Sequence, residues 1–155
     1  MGEKVAVFNF GENWASFSRR INETRMESAR QSLRTLFGEG ALSGRSFLDI
    51  GCGSGLFSIA AAQLGARSVL GLDVDPISVA TSQNNAAHWL TSSTSISFRQ
   101  LSVLDGEQMS KLGMFDIVYS WGVLHHTGNM KVALRNAAHR VAPNGMMMIA
   151  IYNKH

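Results

Sequence analysis

Apolar and polar positions along the chain alternate between two periods. Short apolar runs at 46–50, 68–73, 95–101, 115–120 and 145–152 read as strands. Between them, helical spacing covers 56–64, 76–90 and 130–142, and a short turn or helix fits 106–112. Pro76 directly after Asp75 suits a first helical position with an acidic cap before it. Strands alternating with helices predict an α/β fold. The expected architecture is a doubly wound, mostly parallel sheet of five strands, with ligands bound at the carboxyl ends of the strands.

The N-terminal part follows another pattern. Val5, Val7, Phe8 and Phe10 show no clear regular element. Trp14, Phe17 and Ile21 recur at helical spacing, the stripe falters at Thr24 and Arg25, and it resumes through Ala29, Leu33 and Leu36. Thr24-Arg25-Met26-Glu27 has capping-box spacing, which divides the segment into two helices. Gly38-Glu39-Gly40 closes it. The chain therefore divides into a helical segment at 1–40 and a core at 41–155.

Composition narrows the class without naming a partner. The 155 residues are 45% hydrophobic and 16% charged, which fits one globular domain and argues against disorder. The formal net charge is +3. Basic residues are scattered, so nucleic acid is not implied by charge. The densest group, Arg19, Arg20, Arg25, Arg30 and Arg34, is interleaved with Glu23 and Glu27 and reads as a solvated helix face. The single cysteine, Cys52, excludes an internal disulfide and fits a reducing compartment. No apolar stretch reaches membrane-spanning length and no signal peptide is visible, so the cytoplasm is the expected location.

The candidate chemistry lies in Phe47-Leu48-Asp49-Ile50-Gly51-Cys52-Gly53-Ser54-Gly55-Leu56-Phe57. A buried strand ends near an acid, then turns through three alternating glycines into a helix. Such a turn brings backbone N–H groups against a nucleotide-like ligand, where side chains would block the approach. Asp73 follows about twenty residues later, where a ribose-binding carboxylate belongs. A dinucleotide fingerprint would read G-x-G-x-x-G, whereas here position 56 is Leu56. The motif is G-x-G-x-G preceded by an acid.

That motif resembles the first motif of class I S-adenosylmethionine-dependent methyltransferases, and the resemblance runs from Phe47 to Asn153. Val69 to Pro76 is similar to that family's second strand and its acidic end. Phe98 to Asp105 is similar to the third strand and the adenine-contacting turn. Phe115 to His126 is similar to the fourth strand and the start of the active-site loop. Pro143-Asn144-Gly145 is similar to the turn into the fifth strand. The Leu124-His125-His126 run is especially similar to the small-molecule branch of ubiquinone and menaquinone type. The resemblance implies a Rossmann-like sheet, S-adenosylmethionine as cofactor and a small-molecule methyl acceptor.

It also implies roles for particular residues. Asp49, Gly51, Gly53 and Gly55 would surround the methionine part of the cofactor. Asp73 would accept from the ribose hydroxyls, with Val74 against the adenine face. Ser102 and the Val103 N–H would meet the adenine ring, while Asp105 is either a helix cap or a further contact. Ser120 and Trp121 would face the sulfonium, Trp121 as a wall or as core. His125 and His126 are candidate general bases or hydrogen-bonding posts. Trp14 and Phe17 would fold over the mouth as a lid or pack on the sheet. Tyr152 and Asn153 would point toward the acceptor. Cys52 is expected to matter for its small size, not as a thiol, and no metal-ligand spacing is visible.

The family's sheet runs two strands further, an antiparallel pair. Without it the fifth strand, with Met146, Met147, Met148, Ile149 and Ile151, would present an open edge prone to self-association. Three other readings stay open: a nucleic-acid methyltransferase, an NAD-dependent oxidoreductase, and a shortened domain that binds cofactor without turnover.

Overall fold

Among the described residues, five strands form where apolar runs are bounded by turn formers. The computed structural model describes residues 21–152; the lid candidates Trp14 and Phe17, Arg19, Arg20 and Asn153 lie outside the described residues. The strands are β1 (Ser46–Ile50), β2 (Ser68–Asp73), β3 (Ile96–Gln100), β4 (Phe115–Trp121) and β5 (Val141–Ala150). They align in the order β3-β2-β1-β4-β5, and every pairing is parallel. The direction of strand addition reverses beside β1, which opens a crevice between the carboxyl ends of β1 and β4.

Among the described residues, five helices flank the sheet: α1 (Glu23–Phe37), α2 (Leu56–Gln63), α3 (Pro76–Trp89), α4 (Gly106–Ser110) and α5 (Met130–Ala138). A 3₁₀ turn occupies Leu124–His126. Side chains along a strand alternate between faces, so the sheet separates two cores. On one side Phe47, Val69, Phe98, Ile117 and Tyr119 pack with Met26, Ala29 and Leu33 of α1, Ile59 and Ala60 of α2, and Ala86 of α3. On the other, Leu48, Ile50, Leu70, Leu72 and Val118 meet Met109 of α4 and Ala133 and Ala137 of α5. Among the described residues, no helix is long and apolar enough to cross a membrane.

α1 starts two residues before the expected capping box. The Asn22 side chain, on extended backbone, accepts the Arg25 N–H at 3.0 Å and supplies the cap. From there α1 is one helix whose buried residues enter the same core as the sheet, so this part of the N-terminal segment does not stand apart from it. Burial of side chains such as Met26 and Leu33 contributes about 1.5–3 kcal/mol each. Arg30 pairs with Glu23 and Glu27 but also bonds Gln63 of α2, and its side chain is only 14% exposed, so at this residue the expected solvated face is partly covered.

The largest departure from the sequence reading is at the fifth strand. Pro143-Asn144-Gly145 is not a turn before the strand but a bulge within it, and α5 ends at Ala138 to make room. Val141 pairs with Phe115 and Met146 with Ile117, so β5 has more residues than β4 between those partners. The excess loops out, with Asn144 at φ 62°. A Cβ at Gly145 would lie 2.8 Å from the carbonyl oxygens of Ala142 and Asp116, which leaves space for glycine alone. β5 is an outer strand whose sheet neighbour is β4.

Candidate functional site

The glycine turn after β1 is shaped by what packs over it. Gly51 has φ 77°, and its N–H and that of Cys52 donate to the Leu72 carbonyl at 2.7 and 2.8 Å. A Cβ on Gly51 would lie 2.5 Å from Cγ2 of Val123, which crosses from the loop after β4. Both the left-handed backbone and the close approach demand glycine there. Gly55, also left-handed, precedes α2 and faces Ser82 of α3.

These elements enclose a cavity of about 640 Å³ at the carboxyl ends of the strands. Among the residues expected to bind a cofactor or to act in catalysis, Asp49, Gly51, Asp73, Val74, Ser102, Val103, Trp121 and His126 line it. Gly53, Gly55, Ser120 and His125 are not among its lining residues. Gly53 acts one step back: its N–H donates to Oδ2 of Asp73 at 3.0 Å. The Ser120 hydroxyl donates to the Ile50 carbonyl at 3.0 Å and ties β4 to β1.

Asp73 ends β2 at the cavity wall. Besides the bond from Gly53, its Oδ1 accepts the Asp75 N–H at 3.0 Å. Burial raises its proton affinity, and these two N–H groups oppose that rise. A carboxylate has about four lone-pair sites, so each oxygen can accept another donor from the cavity. Asp75 itself caps α3 by accepting the Ile77 N–H at 2.8 Å.

Asp49 lies deeper, only 3% exposed. It faces α2, where the Ser58 hydroxyl donates to its Oδ2 at 2.6 Å. Burial pushes its carboxyl up to about 7, the Ser58 bond opposes that, and the nearby charge of Asp73 adds to it. Cys52 is buried with Sγ 3.7 Å from the Ser82 hydroxyl. Burial raises its thiol, so it serves as a small wall of the cavity and not as a nucleophile.

On the β3 side, the turn at 101–104 closes the cavity. The Ser102 hydroxyl accepts the Leu104 N–H at 3.2 Å, and the Asn136 amide of α5 donates to the Val103 carbonyl at 2.8 Å. Asp105 caps α4 by accepting the Gln108 N–H at 3.0 Å, which favours the cap reading for that residue. On the β4 side, Trp121 is 42% exposed and forms a wall at the mouth, not core. Its indole N–H donates to the Tyr152 hydroxyl, and Tyr152 lies over Gly122. His125 meets Tyr152 edge-on at 5.8 Å, and its ring is 3.9 Å from that of His126.

Sequence reasoning passed over Tyr119, Ser58 and Asn136. Tyr119 is the β4 register partner of Asp49 and lines the cavity with it. The available signal was the two-residue period of Phe115–Trp121, which sets Tyr119 and Trp121 on one face. Ser58 and Asn136 carry no local signal, because each acts on a residue in another element.

Comparison with known proteins bears on this geometry. A family profile described as "Methyltransferase domain" matches residues 48–147. The ubiquinone biosynthesis O-methyltransferase of Azorhizobium caulinodans is 33% identical over 140 residues, covering 86% of this chain and 53% of that protein. Its counterpart in Pseudomonas aeruginosa strain LESB58 is 34% identical over 116 residues, covering 74% and 47%. The crystal structure of magnesium protoporphyrin IX methyltransferase from Synechocystis PCC 6803 with bound SAH superposes with a TM-score of 0.67 at 23% identity. It covers 86% of this chain and 64% of that one, and shows a shared fold. The chain thus spans about half the length of the curated relatives it matches.

Proposed function

The chain belongs to the class I S-adenosylmethionine-dependent methyltransferases, and on that premise we propose that it moves a methyl group from S-adenosylmethionine to an oxygen, nitrogen or carbon nucleophile of a small molecule. The observation that carries this reading is the Asp73 carboxylate, oriented by Gly53 and Asp75 with acceptor capacity left toward the cavity. The fit to a nucleoside is chemical. Asp73 suits vicinal hydroxyls, Leu72, Val74, Leu101 and Val103 offer apolar surface to a flat base, and the cavity volume is in the range of small-molecule sites.

When bound, the cofactor supplies an electrophilic methyl carbon on a cationic sulfur. The chain's own part is grip and alignment, which suffice for much of the acceleration of a displacement reaction. Asp49 and the glycine turn belong to the methionine end, and Ser102 and Val103 to the base. Trp121 walls the mouth. His126 lines the cavity, which supports it as the base that takes a proton from a hydroxyl acceptor, while His125 packs between His126 and Tyr152, which supports a role as a post. A small-molecule acceptor fits the relatives named for ubiquinone biosynthesis.

Binding is the first readout. S-adenosylhomocysteine at a hundred times its Kd should stabilise the protein by about 2.7 kcal/mol, a melting shift of roughly 5–10 °C. NAD should give none, and Asp73→Ala should abolish the shift. Equal shifts with both ligands, or none with either, would remove the cofactor assignment.

A further inference from the structure

We propose that Tyr119 is a cofactor-binding residue, its phenolic oxygen receiving, together with Asp49, the ammonium group at the amino-acid end of S-adenosylmethionine. The inference rests on the cofactor assignment above and names a contact within it. Tyr119 is 1% exposed, yet its hydroxyl has no hydrogen-bond partner among the described residues. Buried polar groups are almost always paired, and a buried tyrosine hydroxyl usually finds a partner. This one belongs to a residue that lines the cavity.

The ring is held firmly. Phe47, Phe57 and Trp121 pack against it with ring centroids at 5.7, 5.5 and 6.4 Å. A phenylalanine would keep all three contacts, so packing does not explain the oxygen. The parallel register sets Tyr119 directly opposite Asp49 on the neighbouring strand. A carboxyl and a phenolic oxygen on one face make an acceptor pair suited to an ammonium.

Direction follows from strand order. A nucleoside with its ribose on Asp73 of β2 and its base toward Ser102 and Val103, past β3, has one end left. Since β4 lies on the other side of β1, that end crosses β1 and arrives at Asp49 and Tyr119.

The test is isothermal titration of the wild type and Tyr119→Phe with S-adenosylhomocysteine and with 5′-methylthioadenosine, which lacks the amino-acid end. S-adenosylhomocysteine should bind Tyr119→Phe about tenfold more weakly, the scale of a hydrogen bond to a charged group. Methylthioadenosine should bind both proteins equally. The ligand-free melting temperature of the variant should be equal or higher, since the substitution removes an unpaired hydroxyl. Equal affinity of both proteins for S-adenosylhomocysteine, or equal losses with both ligands, would overturn the proposal. A lower ligand-free melting temperature would also overturn it, by showing that the hydroxyl is already bonded inside the protein. If the wild type binds neither ligand, the cofactor assignment itself falls and this contact with it.

Discussion

Replacing Asp49 by asparagine should make the ligand-free protein more stable at alkaline pH while weakening its grip on cofactor. Burial pushes this carboxyl from its ordinary 3.8 up to about 7, against the Ser58 bond and with help from the charge of Asp73. Between those two values the unfolded chain has lost the proton and the folded one has kept it. Folding therefore takes up a proton, and stability falls as pH rises across the window. Asp49's contribution is fully present below about pH 4 and is gone above about pH 7, where the fold carries a buried carboxylate. At about 1.4 kcal/mol per pH unit, the window amounts to about 4 kcal/mol. Asparagine keeps an acceptor for the Ser58 hydroxyl and removes the charge, at a cost of about 1–2 kcal/mol for its new N–H₂ group. The net gain at pH 8 is about 2–3 kcal/mol, a rise in melting temperature of roughly 5–10 °C. Calorimetry of the ligand-free protein from pH 4 to 8 should show that gain shrinking toward the acid end and reversing there, to a deficit of about 1 kcal/mol left by the new N–H₂ group. A variant less stable than the wild type at pH 8, or a difference that ignores pH, would refute the reasoning.

Two further substitutions test the walls of the cavity. Gly51→Ala places a Cβ 2.5 Å from Val123 at φ 77°, and the combined strain should cost about 2–4 kcal/mol, read as a lower urea midpoint with an unchanged slope. Asn136→Ala removes the donor that holds the Val103 carbonyl. It should cost about 1 kcal/mol of stability and weaken S-adenosylhomocysteine and methylthioadenosine alike in titration; unchanged affinity for both would show that the turn needs no support from α5.

What could be read from the chain depended on how local its cause was. The bend from Asp49 to Gly55 and the acid at Asp73 were legible because glycine conformations and strand ends are set within a few residues. Asp75 declared itself as a cap for the same reason, whereas Asp105 stood open between cap and contact until the fold showed it capping α4. The start of β5 was misplaced because Pro143-Asn144-Gly145 has turn chemistry, while pairing with β4 overrides it and absorbs the three residues as a bulge. His125 and His126 could not be told apart, since adjacency says nothing of which ring a 3₁₀ turn directs into a cavity. Tyr119 could be placed on a face by the period of β4, but its role could not be read. Its interest lies in a hydroxyl left without a partner, and that is a property of the packed molecule.

Stability and binding pull against one another in one part of this fold. Burial raises the proton affinity of two carboxyls, Asp49 and Asp73, and both line the cavity. Glu27 and Asp116 shift the other way: Arg30 lowers the first, and the Ser46 backbone N–H lowers the second, at the opposite end of the sheet. Acids kept only for folding would be expected to resemble Glu27 and Asp116, paired and favouring the charged form. Two buried acids that oppose their own ionisation, the charge of Asp73 raising Asp49 further, favour instead a cation arriving from outside. Hence the signs expected of Asp49→Asn: a more stable empty fold and a weaker complex. A residue that merely packs would move both in the same direction.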